Sequence, residues 1–335
     1  MTRRELDAAE IRDPLLREAY ALCETVLQEE NHASHIWMRD QLPPDRRPYW
    51  DAMIAFCGHA DDLVDALNVP LAERLRRYDA FTQDFFRMLH ATRRADPATV
   101  LGPLPGAPGQ RSAGDGVRLV SLAFCDFVHT WRLCETGVRQ AGQALRTDIT
   151  TEAYDTAHAL EEYMLGVSGE PARWLAVLLG QRGQDLPDGA ENAAISWGFG
   201  LQTLDFLLDI EEDLRLGKLY VPLDDLRRCG LERAELESTV AARQTSQPLR
   251  DLVGCQLERV RRYFTAAEGW LDQARPAGWE AIRDSLTEGW STVDRLARCD
   301  HDVFALTAES TKPAGHTPLS PRVVPPRAGG VVRGS

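Results

Sequence analysis

Apolar residues recur along most of the chain at spacings of three and four positions, the period of amphipathic α-helices. No stretch of convincing length alternates apolar and polar residues as a half-buried β-strand does. Bounded by turn signals, the pattern predicts helices over residues 4–30, 46–66, 70–92, 117–143, 150–166, 172–179, 231–244, 249–274 and 279–307, and one from the loop at 183–189 up to Gly217. We therefore expect an all-α fold of about a dozen helices around one core.

Proline and glycine mark the segments that interrupt this pattern. Residues 96–116 are dense in both and are predicted to form a surface loop, and Glu170-Pro171 is expected to break or kink the chain. From Thr311 onward the sequence holds five prolines and four glycines with almost no apolar periodicity. The prediction is one all-α domain over residues 1–310, followed by a disordered tail over residues 311–335.

Three aspartates form a stripe in the predicted helix that ends at Gly217. Asp205, Asp209 and Asp213 recur every four residues, a spacing that puts them on one helix face among apolar neighbours. Carboxylates stacked in this way repel each other by about 0.2–0.5 kcal/mol per pair even when solvated. A hard divalent cation held by oxygen ligands would relieve this repulsion.

A second pair of aspartates repeats the spacing earlier in the chain. Asp61 and Asp65 lie one helical turn apart in the segment Ala55-Phe-Cys-Gly-His-Ala-Asp-Asp-Leu-Val-Asp65. Two helices that each carry such a stripe can face each other across a cavity. Together they would hold Mg2+ and, through it, a diphosphate.

The composition indicates which classes of partner and which cellular compartment to expect. The 335 residues carry a formal net charge of -13, which argues against nucleic-acid binding because that function needs a basic surface. The seven cysteines include no Cys-x-x-Cys pair, as is typical of a reduced, cytoplasmic protein. The N-terminus lacks the apolar region of a signal peptide, and no apolar run is long enough to span a bilayer. We expect a cytoplasmic protein without stable membrane insertion, which an apolar substrate can bring into peripheral contact with a membrane.

Three further motifs stand in order along the chain: Leu42-Pro-Pro-Asp-Arg-Arg47, which precedes the acidic segment Ala60-Asp-Asp-Leu-Val-Asp65, then Val167-Ser-Gly169 and His301-Asp-Val-Phe304. Together with the two acidic pairs they resemble the phytoene/squalene synthase family, the head-to-head branch of the trans-isoprenyl diphosphate synthases. The resemblance covers residues 20–306. It implies a single-domain, isoprenoid synthase-type helical bundle around a central cavity that binds Mg2+ and a prenyl diphosphate donor.

The resemblance also assigns site residues by position. Tyr163 falls on the family's active-site tyrosine, and Asp205 is a catalytic candidate as a base or as a metal ligand. The expected metal-binding residues are Asp61, Asp65, Asp205, Asp209 and Asp213, and the expected substrate-binding residues are Ser34, Gln202, Phe206, Lys218 and Tyr220. The aromatic members of this set would form the wall beside an allylic cation.

The chain departs from the family pattern where the family carries positive charge. Three basic positions of the family hold Gly58, Leu208 and Leu306 here. A family asparagine is Asp205, and a family tyrosine is Ile54. Each lost charge-assisted contact forfeits about 1.5–3 kcal/mol. A site with that deficit would hold one diphosphate through Mg2+ and bind a second poorly.

The expected activity is therefore transfer of an allylic prenyl group from its diphosphate to an acceptor without a diphosphate, such as an aromatic, indole- or carbazole-like molecule of secondary metabolism. Arg173 and Lys218 are the candidates for partly replacing the missing arginines. Two enzymatic alternatives stay open: head-to-head condensation to phytoene or squalene, and a class I terpene cyclase. A third alternative, a non-catalytic protein that binds isoprenoids or a partner, is disfavoured by the intact acidic pairs.

Overall fold

The fold is built from α-helices. The computed structural model describes residues 3–105, 112–273 and 279–305. Its helices are α1 (Arg3–Ala8), α2 (Pro14–Glu30), α3 (Ala33–Gln41), α4 (Arg47–Val64), α5 (Leu71–Ala91), α6 (Pro97–Leu101), α7 (Ala113–Thr130), α8 (Glu135–Asp148), α9 (Ala157–Met164), α10 (Glu170–Leu179), α11 (Ala190–Leu208), α12 (Ile210–Arg215), α13 (Leu223–Arg228), α14 (Arg233–Ala241), α15 (Gln247–Gln273) and α16 (Trp279–Arg298). These residues form a single domain without a β-strand, so the all-α prediction is confirmed.

The described ranges leave out part of what the sequence analysis addressed. The predicted tail over residues 311–335 and the position of Leu306 lie outside the described residues. Within the three described ranges, no helix combines the length and the apolar character that crossing a bilayer requires.

The helix predicted over residues 117–143 is in fact two helices, α7 and α8. Between them Arg132 adopts a left-handed backbone with φ 53°, and the Leu133 N–H donates to the Val128 carbonyl oxygen at 2.9 Å. The apolar spacing continues on both sides of this tight turn, so periodicity alone does not reveal it. The predicted loop over 96–116 likewise contains α6 and the first turn of α7.

The segment before α10 also differs from its prediction. The helix expected over residues 150–166 begins late, at a cap formed by Thr156. Residues 165–169 then form one turn of π-helix, which joins α9 directly to α10. The expected break at Pro171 is absent, because a proline, which lacks an N–H, is tolerated in the first turn of a helix. Turns of π-helix are frequent at functional sites.

The acidic stripe is carried by α11 and α12. The predicted helix is interrupted at Asp209, which stands between the two. Helical hydrogen bonding nevertheless continues, since the Asp209 N–H donates to the Asp205 carbonyl oxygen and the Asp213 N–H to the Asp209 carbonyl oxygen, both at 2.9 Å. Gly217, in a left-handed conformation at φ 79°, ends the segment. The three aspartates therefore keep the one-turn spacing that the sequence predicts.

Glycine residues allow α11 to approach α15 and α16 closely. The ring of Phe264 on α15 is fully buried and lies over Gly200 of α11 and Gly289 of α16. A Cβ atom added to Gly200 would stand 2.3 Å from a ring carbon, and one added to Gly289 would stand 2.6 Å away. This contact fixes the helix that begins the acidic stripe against the two last helices.

Gly200→Ala is expected to lower the free energy of unfolding by about 1–3 kcal/mol, because the added methyl group overlaps the buried Phe264 ring. The matched control is Gly269→Ala on α15, where an added Cβ meets nothing within 4 Å. The higher helix propensity of alanine makes that control neutral or stabilising by up to about 1 kcal/mol. Urea unfolding measures both, and equal effects would contradict the close approach of the helices.

Candidate active site

A narrow cavity of about 60 Å3 lies between α4, α10 and α11. Trp50, Ile54 and Cys57 line it from α4, and Trp197 and Leu201 line it from α11. The π turn and α3 complete its wall. Most of these side chains are apolar, as is usual for a small-molecule site that excludes water.

Both acidic pairs continue the helix stripes that line this cavity. On α4, Asp61 lies one turn beyond Cys57, which belongs to the wall. On α11, Asp205 lies one turn beyond Leu201, which belongs to the opposite wall. Each helix therefore changes from apolar to acidic on the same face, at the position where the cavity wall ends.

The end of α8 connects the two acidic turns. Leu145 packs against the apolar cluster that contains Ala60, the residue before Asp61. The same side chain packs against the cluster that contains Phe206, the residue after Asp205. The helical turns that carry Asp61 and Asp205 therefore both adjoin the apolar surface around Leu145 of α8.

The candidate metal-binding acids differ in exposure. Asp61, Asp205 and Asp213 are buried, Asp209 is half-buried and Asp65 is exposed. Gln202 Nε2 donates to Asp205 Oδ2 at 3.2 Å, which orients that carboxylate. Across the described ranges, no three acidic, histidine or cysteine side chains are placed to hold a metal ion by themselves.

These donors are nevertheless chemically suited to Mg2+. Carboxylate oxygens are hard ligands, and Mg2+ is usually bound by one or two carboxylates together with substrate phosphates and water. The remaining coordination positions of such an ion would be filled by diphosphate oxygens and water, and the protein would not need to supply a complete set of ligands. The assignment of the five aspartates to metal binding stays a prediction.

Four aromatic rings are stacked beside the acidic turn of α11. Phe206 lies 4.5 Å from Tyr220 between ring centroids, with 8° between the ring planes. Tyr163 lies 5.6 Å from Tyr220 and 5.1 Å from Tyr154. Tyr154, from the irregular segment before α9, extends the predicted set. Aromatic ring faces attract cations, so this stack has the chemistry of a wall for an allylic cation.

A buried carboxylate at the end of α8 holds two of the predicted substrate-binding residues. Asp148 is 4% exposed, and its two oxygens accept from the Tyr220 hydroxyl at 3.0 and 2.9 Å. Lys218 Nζ lies 3.4 Å from Asp148 Oδ2 and donates to the carbonyl oxygens of Asp148 and Thr151. The ammonium group is thus engaged with α8, and its contact with substrate stays a prediction.

Two neighbouring histidines lie near Asp205. His32 and His35, at the start of α3, are 4.4 Å apart between ring centroids. Burial lowers the pKa of His32, although the Asp205 carboxylate opposes this shift. Burial and the neighbouring His32 lower the pKa of His35 to about 3. Ser34 Oγ, predicted to face substrate, lies 2.8 Å from His32 Nδ1 and so contacts the ring nearest the acidic turn.

A carboxylate occupies the place of a family arginine. Glu30, at the end of α2, lies over Gly58, and a Cβ atom added to that glycine would stand 3.1 Å from Glu30 Oε1. Partial burial and the Asp62 carboxylate raise the pKa of Glu30 to about 7. Burial also raises the pKa of Asp62. This corner of the site is therefore acidic where the family pattern has a cation.

Sequence reasoning did not find Glu30, His32 or Asp148 as parts of the site. The histidine carried a local signal, because it is one of two histidines in Asn31-His-Ala-Ser-His35. Glu30 has the sequence context of an ordinary solvated acid at a helix end. Its partner and that of Asp148 come from distant parts of the chain, so spacing along the sequence does not reveal them.

An all-α bundle with two acidic turns at the end of an apolar cavity defines a prenyltransferase of the isoprenoid-synthase type. The family model described as squalene/phytoene synthase matches residues 30–322, and the chain belongs to this family. Chloroplastic phytoene synthase 2 of Solanum lycopersicum is 23% identical over 303 residues, which cover 89% of this chain and 88% of that protein. Chloroplastic phytoene synthase 1 of Arabidopsis thaliana is 24% identical over 300 residues, covering 88% of this chain but only 63% of that protein.

Solved structures show the same architecture. Squalene synthase HpnC from Alicyclobacillus acidocaldarius matches with a TM-score of 0.68 at 19% identity, covering 88% of this chain and 99% of that chain. A dehydrosqualene synthase solved in complex with a ligand matches with a TM-score of 0.65 at 20% identity, covering 86% of this chain and 89% of that chain. At these identities the likeness shows the fold, and it confirms the predicted isoprenoid synthase-type bundle.

Glu30→Gln is expected to raise the melting temperature more at pH 8 than at pH 5. The pKa of Glu30 is about 7 in the folded protein, above its ordinary value of 4.5. Between these values the folded state binds more protons than the unfolded state, so stability falls as pH rises. The glutamine side chain does not titrate, so the variant does not lose this stability as the pH rises. Glu29→Gln is the control, because Glu29 is also exposed on α2 but is not among the groups nearest to Gly58. The same pH dependence in both variants would contradict the placement of Glu30.

Proposed function

We propose that this protein transfers an allylic prenyl group from a prenyl diphosphate to a neutral aromatic acceptor, with Mg2+ as its metal. The observation that carries the proposal is the Glu30 carboxylate over Gly58, where the family pattern has an arginine. A second diphosphate would bring several more negative charges to this acidic corner. A neutral acceptor brings none, and so it avoids the repulsion.

The other basic positions and their candidate substitutes support the same proposal. Leu208, at the second position, is half-buried and packs against the main core. Arg173 Nη1 lies 3.0 Å from Glu170 Oε1, and Arg173 Nε lies 3.6 Å from Glu191 Oε2. Lys218 is engaged at the end of α8. Both cations that were candidates for replacing the arginines therefore already face carboxylates.

The donor diphosphate would bind at the acidic turns. The residues proposed to hold the metal there are Asp61, Asp65, Asp205, Asp209 and Asp213. Bound Mg2+ supplies positive charge that neutralises the leaving diphosphate. Gln202 Nε2 donates to Asp205 Oδ2 at 3.2 Å, and this contact would help to hold the carboxylate in place for the metal.

The apolar part of the site would protect the allylic group during transfer. Phe206, Tyr163 and Tyr220 would offer aromatic surface to a developing cation, and the mainly apolar lining of the cavity would disfavour water that could capture it. A ring carbon of the acceptor then attacks the allylic carbon. Asp205 or an oxygen of the released diphosphate takes the ring proton.

Head-to-head condensation is the second candidate, because relatives of this chain carry the names phytoene synthase and squalene synthase. Product analysis with one prenyl diphosphate and Mg2+, with and without an indole or carbazole acceptor, separates the possibilities. A prenylated aromatic product that requires the acceptor is expected. Phytoene or squalene formed without acceptor would reject the proposal, and a cyclic terpene formed without acceptor would indicate a cyclase.

Asp213→Asn is expected to reduce kcat/KM about 100-fold, equivalent to about 2.7 kcal/mol, because it removes a carboxylate proposed to bind the metal. The matched control is Glu212→Gln, an exposed neighbour on α12. Turnover measured against Mg2+ concentration tests the pair, with circular dichroism to verify folding. A similar loss in both variants, or an unchanged Mg2+ dependence in Asp213→Asn, would contradict the metal assignment.

A further inference from the structure

An arginine that the sequence analysis did not single out lies beside the first acidic turn. Arg74, in the first turn of α5, donates from Nη1 to the Val64 carbonyl oxygen at 2.8 Å. This oxygen belongs to the peptide bond that joins Val64 to Asp65. The turn between α4 and α5 is tight, since the Leu67 N–H donates to the Asp65 carbonyl oxygen at 2.7 Å. The guanidinium group of Arg74 is therefore placed next to the last residue of the Asp61 and Asp65 pair.

The positive charge of Arg74 is not compensated by a carboxylate. The side chain is half-buried, and within the three described ranges it makes one hydrogen bond, to the Val64 carbonyl oxygen, and no ion pair. The adjacent acid, Glu73, pairs instead with Arg76 and with Arg77, the latter at 2.7 Å. A partly buried cation without a counter-charge is costly, so this position favours the binding of an anion.

Other arginines with a buried Nε differ from Arg74 in this respect. Arg46 Nε lies 3.5 Å from Asp45 Oδ2, and Arg173 Nε lies 3.6 Å from Glu191 Oε2, although neither contact has hydrogen-bond geometry. Arg74 Nε is buried without a partner among the described residues as well, but no carboxylate of that part of the chain pairs with its guanidinium group. Its Nη2 is neither hydrogen-bonded nor buried there, so this nitrogen is accessible to a ligand.

We infer that Arg74 binds the diphosphate of the prenyl donor, with Nη2 donating to a diphosphate oxygen while Nη1 stays on the end of α4. This inference rests on the part of the proposed function that places the donor at the acidic turns, and it does not depend on the acceptor. Mg2+ at Asp61 and Asp65 would bind some of the diphosphate oxygens, which leaves others for a neighbouring donor. A guanidinium group is well suited to phosphate oxygens because it presents several N–H groups in one plane.

The charge balance of the site supports this role. The family's basic positions hold Gly58 and Leu208 here, and Arg173 and Lys218 already face carboxylates. Arg74 adjoins an acidic turn and keeps its charge available. Negative charge on the diphosphate increases as the allylic C–O bond breaks, so a contact from Arg74 would strengthen in the transition state.

Binding of inorganic diphosphate to the full chain tests this inference by calorimetry in excess Mg2+. Arg74→Gln is expected to raise the Kd for diphosphate about 10- to 100-fold, as for loss of a charged hydrogen bond. Arg74→Lys keeps the charge and is expected to recover most of the affinity. The matched control is Arg77→Gln, which removes an exposed arginine of the same helix and is expected to leave the Kd unchanged.

Thermal unfolding of the same variants separates binding from a purely structural role. If Arg74 only holds the end of α4, Arg74→Gln lowers the melting temperature and leaves the Kd for diphosphate unchanged. That result overturns the inference, and so does an equal rise of the Kd in Arg77→Gln. A raised Kd in Arg74→Gln that Arg74→Lys largely restores supports it.

A measurement on the unaltered protein decides the question if Arg74→Gln fails to fold. Phenylglyoxal modifies arginine side chains, and peptide mass spectrometry gives the rate at each position. Mg2+ with inorganic diphosphate is expected to slow the modification of Arg74 and to leave that of Arg77 unchanged. Equal protection at both positions, or none at Arg74, overturns the inference.

The outcomes also separate this inference from the proposed function. Phytoene or squalene formed without an acceptor would reject the aromatic acceptor, whereas a Kd raised selectively in Arg74→Gln would still support the role of Arg74. Aromatic transfer together with an unchanged Kd in Arg74→Gln would overturn only the inference. Failure of the unaltered protein to bind diphosphate in Mg2+ would overturn both.

Discussion

Negative charge concentrated at one end of an apolar cavity is the constraint on which the rest of the structure depends. Asp61 and Asp205 are buried on two helices whose neighbouring apolar residues both pack against Leu145 near the end of α8. Carboxylates in such surroundings are costly unless cations compensate them. The site is therefore built to attract positive charge. A ligand that binds there either arrives with its negative charge neutralised or carries none.

The end of α8 holds this arrangement together. Leu145 packs against the apolar clusters of both acidic turns. Asp148 accepts a hydrogen bond from the Tyr220 hydroxyl at its carboxylate and one from Lys218 at its backbone carbonyl oxygen. Tyr220 in turn stacks on Phe206, next to the acidic turn of α11. One chain of contacts thus connects the end of α8 to the aromatic stack beside the acidic turn of α11.

The side chains that depart from the family pattern change the charge and the polarity of the site. Glu30 covers Gly58 at a family arginine position, and Ile54 brings an aliphatic side chain into the cavity wall in place of a tyrosine. His35 and Trp197 also belong to this wall. The helical framework of the family is kept, and side chains at a few positions decide what the cavity accepts. Family membership and an altered acceptor are therefore compatible.

The sequence by itself determined the helical class and the two acidic stripes, because the 3.6-residue period and one-turn spacings are properties of single helices. It did not reveal the turn at Arg132, since the apolar period continues on both sides of a local change in backbone conformation. Only the tertiary structure decided that Glu30 lies over Gly58 and that His35 and Trp197 line one cavity. These pairs are distant in sequence, and their contact depends on how helices pack rather than on spacing within any one of them.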